Sequence, residues 1–258
     1  MNAKVIVITG ASSGIGAELA RQLGRGGHYL VLGARREPEL RQSAQDSGER
    51  AIAVVCDVRR RADVEHLKTA AIDEFGHVDV WINNAGRGIG RKVMDLTDEE
   101  FDEIMSINLK SAWYGMQVII PHFQERGKGH LINISTFLSR VPLATYRSVY
   151  NAAKSALNIL TANLRMDLKA EYPEIHVSLV LPGVVTTEFA KHALGGTPQT
   201  ARPGGGVKPQ SVEEAARAIA SLIENPKPEL YTNQVLAEIV SRYYQDVGAF
   251  EEKAHQGS

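Results

Sequence analysis

The chain has 258 residues, 43% of them apolar and 23% charged, proportions that suit one soluble α/β domain. Its formal charge of −1 offers no global field for nucleic acid or an anionic membrane, and no apolar run approaches the ~20 residues of a bilayer span. The one cysteine, Cys56, lies in an apolar setting and cannot form an internal disulfide, and the N-terminus lacks the small-residue cleavage site of a signal peptide, so a reducing, cytoplasmic compartment is expected.

In chain order, short apolar runs alternate with longer amphipathic stretches. The runs are residues 4–9, 28–34, 51–56, 78–83, 130–135 and 176–181, with a seventh near 229–232. Several are apolar at successive positions, as strands covered on both faces require. Between them, 16–24, 37–47, 62–75, 97–125, 146–172 and 211–224 read as helices, the last opened by a capping box between Ser211 and Glu214. In the helix over 146–172, Ala153, Leu157, Leu160, Leu164 and Leu168 form an apolar stripe that reads as core or subunit contact. The pattern predicts a single α/β domain over residues 1–258, a doubly wound Rossmann-type fold with about seven parallel strands and helices on both faces. No repeat or linker divides it. The one long irregular segment, 188–210, contains Gly195-Gly196, Pro198 and Pro203-Gly-Gly-Gly206 and follows the sixth strand. It reads as a substrate lid, with plain surface disorder as the alternative.

Two motifs carry chemistry. Thr9-Gly-Ala-Ser-Ser-Gly-Ile-Gly16 lies between a strand and a helix, where glycine lets backbone approach a pyrophosphate and the helix N-terminus offers free N–H donors. The bland alternative is a tight turn without a ligand. Tyr150-Asn-Ala-Ala-Lys154 places a phenol and an ammonium one helical turn apart. A nearby ammonium favours phenolate and lowers the tyrosine pKa from ~10, which suits proton exchange at an alcohol or carbonyl oxygen. Together the two motifs suggest a redox enzyme. The eight histidines show no paired ligand spacing, so no metal is expected, and Gly-x-Ser-x-Gly is absent.

With these residues in view, the chain resembles the short-chain dehydrogenase/reductase family over nearly all its length. Thr9–Gly16 matches that family's Thr-Gly-x3-Gly-x-Gly turn, with Gly10, Ser12, Ser13, Gly14, Ile15 and Gly16 expected at the cofactor. Asp57-Val58 matches the pair that holds the adenine, and Asn83-Asn84-Ala85-Gly86 the motif after the fourth strand. Asn108 matches a helix asparagine expected to anchor a proton-relay water. Tyr150 and Lys154 match the catalytic pair, and Pro182, Gly183, Val185 and Thr187 the turn around the nicotinamide. The family's catalytic hydroxyl lies three positions after the asparagine of the fifth strand, usually as serine thirteen before the tyrosine. Here that count from Asn133 gives Thr136, fourteen before Tyr150, while Phe137 stands at minus thirteen; a one-residue insertion between Ser139 and Ser148 accounts for both. Thr136 is the expected donor and Ser135 the alternative.

The second predicted strand ends Ala34-Arg35-Arg36. An acid there would bind a ribose 2′-hydroxyl, whereas an arginine accommodates a 2′-phosphate. NADP is therefore expected over NAD, held by Arg35, with Arg36 either assisting or acting as a solvated charge at a helix start. The resemblance implies reversible hydride transfer between NADP(H) and a small-molecule carbonyl or alcohol, and a homodimer or homotetramer packed through the helices at 97–125 and 146–172. Phe137, Leu138, Val141, Tyr146 and Phe189 are candidate pocket residues. A dinucleotide-sensing regulator without turnover, and a sugar-nucleotide epimerase or dehydratase of the same fold, are the rival readings. The intact Tyr–Lys–hydroxyl set weighs against the first and the short C-terminal region against the second.

Overall fold

The computed structural model describes residues 2–196 and 207–256. Among the described residues the apolar runs form seven strands: β1 (Val5–Thr9), β2 (Tyr29–Ala34), β3 (Ala51–Val55), β4 (Val80–Asn83), β5 (Gly129–Ile134), β6 (Ile175–Leu181) and β7 (Glu229–Tyr231). All pair in parallel, in the order β3-β2-β1-β4-β5-β6-β7. Parallel neighbours require crossovers, and these are supplied by α1 (Gly14–Arg25), α2 (Glu37–Asp46), α3 (Arg61–Phe75), α4 (Asp98–Met105), α5 (Ser111–Arg126), α6 (Ser148–Leu168) and α7 (Val212–Glu224). Side chains alternate along each strand, so β1 sends Val7 to one core and Ile6 and Ile8 to the other. The first core joins Val31, Trp81, Leu131 and Val177 to α3, α5 and α6. The second joins Leu30, Leu32, Ile82, Ile132 and Val180 to α1, α2 and α7. The expected doubly wound architecture is present, and its strand order reverses between β1 and β4. The crevice beyond the carboxyl ends of those two strands is where this topology leaves room for a ligand.

The helix expected over 97–125 is interrupted. α4 opens on a capping box between Thr97 and Glu100, but Ser106–Lys110 form a π-turn before α5 begins. There the Ser111 N–H donates to the Ser106 carbonyl, five residues back. The extra residue accommodates Asn108, whose buried amide donates from Nδ2 to the Arg87 and Ile104 carbonyls and accepts the Arg87 N–H. Helix α6 is shorter at both ends than the stretch 146–172. Two further helices, α8 (Gln234–Gln245) and α9 (Val247–Gln256), follow β7 and were not expected. Leu236, Ile239 and Val240 of α8 pack with Phe137 and Val141, closing the core beneath the segment after β5. Val141 is therefore a core residue and does not line the cleft, contrary to its reading as a pocket residue. Among the described residues no helix is long and apolar enough to cross a membrane.

Candidate active site

One cleft of about 690 Å³ lies over the carboxyl ends of β1, β4, β5 and β6. Its floor at β1 is the glycine turn. Gly10 and Gly14 have φ of +68° and +57°, and a Cβ on Gly10 would stand 2.7 Å from the Ala85 Cα. A Cβ on Gly16 would stand 2.5 Å from the Gly10 carbonyl oxygen, so that glycine serves close packing of α1 on the turn and does not itself line the cleft. No side chain caps the N-terminus of α1, since Ser13 makes no capping bond. The first-turn N–H groups thus lack a side-chain acceptor, and the cradle is open and glycine-lined, which fits the pyrophosphate of a dinucleotide.

The loop after β4 is locked onto this turn. Thr9 Oγ1 accepts the N–H groups of Asn84 (3.0 Å) and Ala85 (3.1 Å), and Asn84 Nδ2 donates to the carbonyls of Thr9 (2.9 Å) and Gly10 (3.2 Å). At the end of β2, Ala34, Arg35 and Arg36 line the cleft. Arg36 Nη2 donates to Ser13 Oγ at 2.6 Å and Ser12 Oγ at 3.2 Å, which turns its guanidinium toward the glycine turn. Arg35 is exposed. Val58 lines the cleft, but Asp57 does not; Arg59 binds its carboxylate through Nε at 3.0 Å and Nη2 at 2.6 Å and holds its pKa below the usual carboxylate range. Cys56 is buried and its thiol is pushed up to about 12, mainly by loss of solvent, in keeping with an inert core cysteine.

At the far end, Tyr150, Lys154 and Thr136 meet. All three are buried, at 8%, 4% and 6% exposure, and all line the cleft. Thr136 caps the short turn Phe137–Ser139, where its Oγ1 accepts the Leu138 N–H, and its side chain acts on the Tyr150 phenol against the effect of burial. Ser135 faces the other way, donating to Asn158 Oδ1 at 2.6 Å. Asn158 Nδ2 in turn donates to Ser139 Oγ, and Ser139 donates to the Thr136 carbonyl, so this inner network steadies the backbone that carries Thr136. Lys154 Nζ donates to the Ile134 carbonyl at 2.8 Å. Burial pushes the ammonium down to about 7 and pushes the Tyr150 phenol up to about 12. What opposes burial at the phenol is first the Arg147 charge and then the Thr136 hydrogen bond. Asn108 does not line the cleft; its side chain lies behind Gly86, where an added Cβ would stand 2.8 Å from Oδ1.

The turn after β6 closes the site. Pro182, Gly183, Val185 and Thr187 line the cleft, and Thr187 Oγ1 accepts the Phe189 N–H to start the short turn Glu188–Ala190. The Phe189 and Tyr150 rings lie 5.7 Å apart. Of the expected lid, 188–196 is pinned to the loop after β4, and at its other end the Gln210 N–H donates to the Val184 carbonyl at 2.8 Å. Gly90 N–H donates to the Leu194 carbonyl at 2.7 Å, Leu194 N–H to Gly88 at 3.0 Å, and Arg87 Nε to the His192 carbonyl at 3.0 Å. Residues 197–206 of that segment lie outside the described residues. Phe137, Leu138 and Tyr146 line the cleft as expected. Arg87 and Arg147 also line it and were not anticipated. The signal for Arg147 was its place three residues before Tyr150, one turn earlier on the same helix face.

Comparison with known proteins agrees with this geometry. The family described as short chain dehydrogenase matches residues 4–195. An uncharacterised oxidoreductase of Staphylococcus haemolyticus is 34% identical over 228 residues, 88% of this chain and 93% of the relative. A short-chain dehydrogenase/reductase of Burkholderia phymatum, solved in complex with NAD, superposes with a TM-score of 0.86 at 25% identity, covering 96% of this chain and 95% of that one. An alcohol dehydrogenase of Thermococcus sibiricus, solved with 5-hydroxy-NADP, gives a TM-score of 0.76 at 29% identity over 89% of this chain and 96% of that one. Both solved relatives carry a nicotinamide dinucleotide, and the chain described here belongs to the short-chain dehydrogenase/reductase family of oxidoreductases.

Proposed function

We propose that the protein interconverts a small-molecule carbonyl and the corresponding alcohol with NADP(H), using Tyr150 as the general acid and base. The observation that carries this reading is the convergence of Tyr150, Lys154 and Thr136, all buried, in the cleft that also holds the glycine turn. A bound nicotinamide supplies and takes back the hydride. The glycine turn and the N-terminus of α1 would hold its pyrophosphate. Val58 would flank the adenine, Arg35 and Arg36 a 2′-phosphate, and Lys154 the nicotinamide ribose. Asn84, Ala85 and Gly86 on one side and Pro182, Gly183, Val185 and Thr187 on the other would bound the nicotinamide half.

In the reductive direction Tyr150 gives its hydroxyl proton to the carbonyl oxygen, and Thr136 donates a hydrogen bond to the same oxygen. In the oxidative direction Tyr150 accepts the alcohol proton. A phenol raised by burial keeps its proton at neutral pH, so the resting side chain is in the form that reduction needs. The Asn108 side chain is committed to Arg87 and Ile104, so it holds the loop after β4 in place and is not itself the group that would anchor the expected relay water.

The test is oxidation of NADPH against a panel of aldehydes, ketones and diketones, followed by Tyr150→Phe on the best substrate. The variant removes one hydroxyl, so cofactor affinity survives while turnover falls by about 10²–10⁴-fold. Full activity in Tyr150→Phe would exclude the mechanism.

A further inference from the structure

We propose that Gly88 and Gly90 are specificity-determining residues: they form a bare strip that seats residues 188–196 as the cleft wall beside Tyr150 and so limits the size of substrate admitted. The loop after β4 runs Gly86-Arg-Gly-Ile-Gly90, with glycine at every second position. Its chain is extended here, since Ile89 pairs with Leu194 and Arg91 with Arg147, both in parallel. Alternate residues of an extended chain share a side, so Gly88 and Gly90 face one way and Ile89 the other. Neither Gly88 nor Gly90 has a positive φ, so the backbone there accepts any residue and what a side chain lacks is room. A Cβ on Gly88 would stand 2.5 Å from Arg147 Nη1, 2.9 Å from Phe189 Cε1 and 3.4 Å from the Ala193 Cβ. One on Gly90 would run into the Gly196 carbonyl oxygen, a backbone atom that cannot swing aside.

Seating the segment brings it against the acid–base at two points. Leu194 packs on the cluster of Ile89, Ile104, Val149 and Tyr150, and the Phe189 ring lies 5.7 Å from the Tyr150 ring. Phe189, Ala190 and Ala193 then line the cleft opposite Leu138 and Tyr146. The segment is held to the loop by main-chain bonds, Gly90 N–H to the Leu194 carbonyl and Leu194 N–H to the Gly88 carbonyl. Its distance from Tyr150 is therefore set by how closely its backbone can approach the strip, and not by the rotamer of one side chain. Gly195 and Gly196, at φ of +66° and +74°, turn the chain away where the strip ends. The consequence rests on the carbonyl–alcohol reading given above. A wall fixed at this distance leaves a narrow space beside Tyr150, which admits a small group next to the reacting carbon and rejects a bulky one.

The seating is tested by limited trypsin digestion of the whole protein, which needs no substrate. The Lys191 side chain is 73% exposed, but cleavage after it requires the segment to leave the strip and enter the protease as an extended chain. In Gly90→Ala that cleavage is expected to rise about tenfold, while cleavage within α1, α3 and α5 keeps its rate. Gly88→Ala meets only side-chain atoms, so its rise is smaller. Leu194→Ala removes the segment's apolar anchor, leaves both glycines in place and gives the same selective rise, which keeps the proposal testable should Gly90→Ala not fold. Unchanged cleavage after Lys191 in both variants, or a rise shared by all sites, would overturn the seating. For specificity, kcat/KM with NADPH is compared for propiophenone and 2-butanone in the unmodified and Gly90→Ala proteins. The ratio of the ring-bearing to the small ketone is expected to rise about fivefold, because displacing the wall makes room for the ring. A loss shared equally by both ketones would overturn the specificity role and leave the glycines to stability alone. If the unmodified protein reduces no carbonyl, the proposed function fails, while the digestion pattern still decides the seating.

Discussion

Two hydroxyls one residue apart leave the end of β5 in opposite directions, and that decides which can reach a substrate. The Thr136 side chain acts on Tyr150 at the cleft, whereas Ser135 bonds Asn158 in the interior. Thr136→Ala is expected to slow turnover on a confirmed substrate by about 10²-fold, the scale of losing one oriented donor, with Thr136→Ser largely active. Ser135→Ala leaves a buried amide oxygen short of its donor and lowers stability by about 1–3 kcal/mol while leaving turnover near normal. Steady-state rates set beside urea unfolding check both, and a reversed ranking of the two alanine variants would show that the wrong hydroxyl was chosen. The same residue-by-residue logic applies to the cofactor. With Ala34 in place of an acid, and with Arg35 and Arg36 beside the glycine turn, a 2′-phosphate gains charge-assisted hydrogen bonds of about 1.5–3 kcal/mol each. NADPH is expected to bind about ten- to a hundredfold more tightly than NADH, by a margin that shrinks with salt. Because Arg36 is already turned onto Ser12 and Ser13, Arg36→Ala should weaken NADPH at least as much as Arg35→Ala, and neither should affect NADH comparably. Parallel calorimetric titrations of both cofactors decide; equal affinity in the unmodified protein removes the preference and leaves the oxidoreductase reading standing.

At the scale of elements, the pairing of β5 with β6 buries a histidine that cannot be charged without loss. His130 Nε2 lies 2.8 Å from Ser178 Oγ, and Ser178 already donates to the Lys227 carbonyl. His130 must therefore be the donor in that contact, which leaves Nδ1 bare and without a partner among the described residues. Burial, with help from His176 and Lys4, draws its pKa down to about 3. Below an unfolded pKa of ~6.5 the unfolded chain takes up a proton that the folded chain refuses. The His130 contribution is thus complete above that value and is lost as pH falls toward 3, at up to ~1.4 kcal/mol per pH unit. His28 and His122, also lowered chiefly by burial, act in the same direction. Urea unfolding between about pH 4 and 6.5 should show stability falling with acid, with a shallower slope in His130→Gln; an unchanged slope would refute the assignment. This kind of register-dependent burial lies outside what the sequence displays. The sheet itself was legible because strands covered on both faces read as uninterrupted apolar runs, and the glycine turn because its spacing is a backbone requirement. The π-turn at Ser106–Lys110 was not, since one inserted residue leaves the helical periodicity on either side intact. Helix α8 was missed although Leu236, Ile239, Val240 and Tyr243 recur at three- and four-residue steps after the cap at Asn233. Arg147 was overlooked because a single charge at a helix start looks solvated until the 188–196 segment and the loop after β4 enclose it.

For the molecule as a whole, among the described residues the sheet and its cleft leave an apolar face of α6 open to solvent. On α6, Ala152, Ile159 and Met166 recur every seven residues on one side, and Ile159 and Met166 are 60% and 65% exposed. Trp113 of α5 and Phe101 of α4 are also exposed large hydrophobics, and Arg61 from α3 lies over the Trp113 ring at 5.3 Å. Apolar groups aligned along adjacent helices lose ~25 cal/mol for each Å² kept in water, which a second copy relieves when the same surface faces itself across a two-fold axis. A stable interface of that kind buries on the order of 1,200–2,000 Å² in total, within reach of two long helices from each copy. The expected state is therefore a dimer or tetramer packed through α5 and α6. The stripe on α6 begins one turn after the helix start and runs along the element that carries Tyr150 and Lys154, so assembly would also steady the catalytic residues from behind. Light scattering coupled to size exclusion should return a mass of two or four chains at micromolar concentration. Ile159→Glu with Met166→Glu places two carboxylates on each copy at the centre of the contact, and desolvating them opposite their own symmetry mates costs several kcal/mol. The double variant should run as a folded monomer with weakened thermal stability, because association adds to the stability of each chain by mass action. A monomeric unmodified protein, or a double variant of unchanged mass, would assign the stripe to some other partner and exclude self-association through these helices.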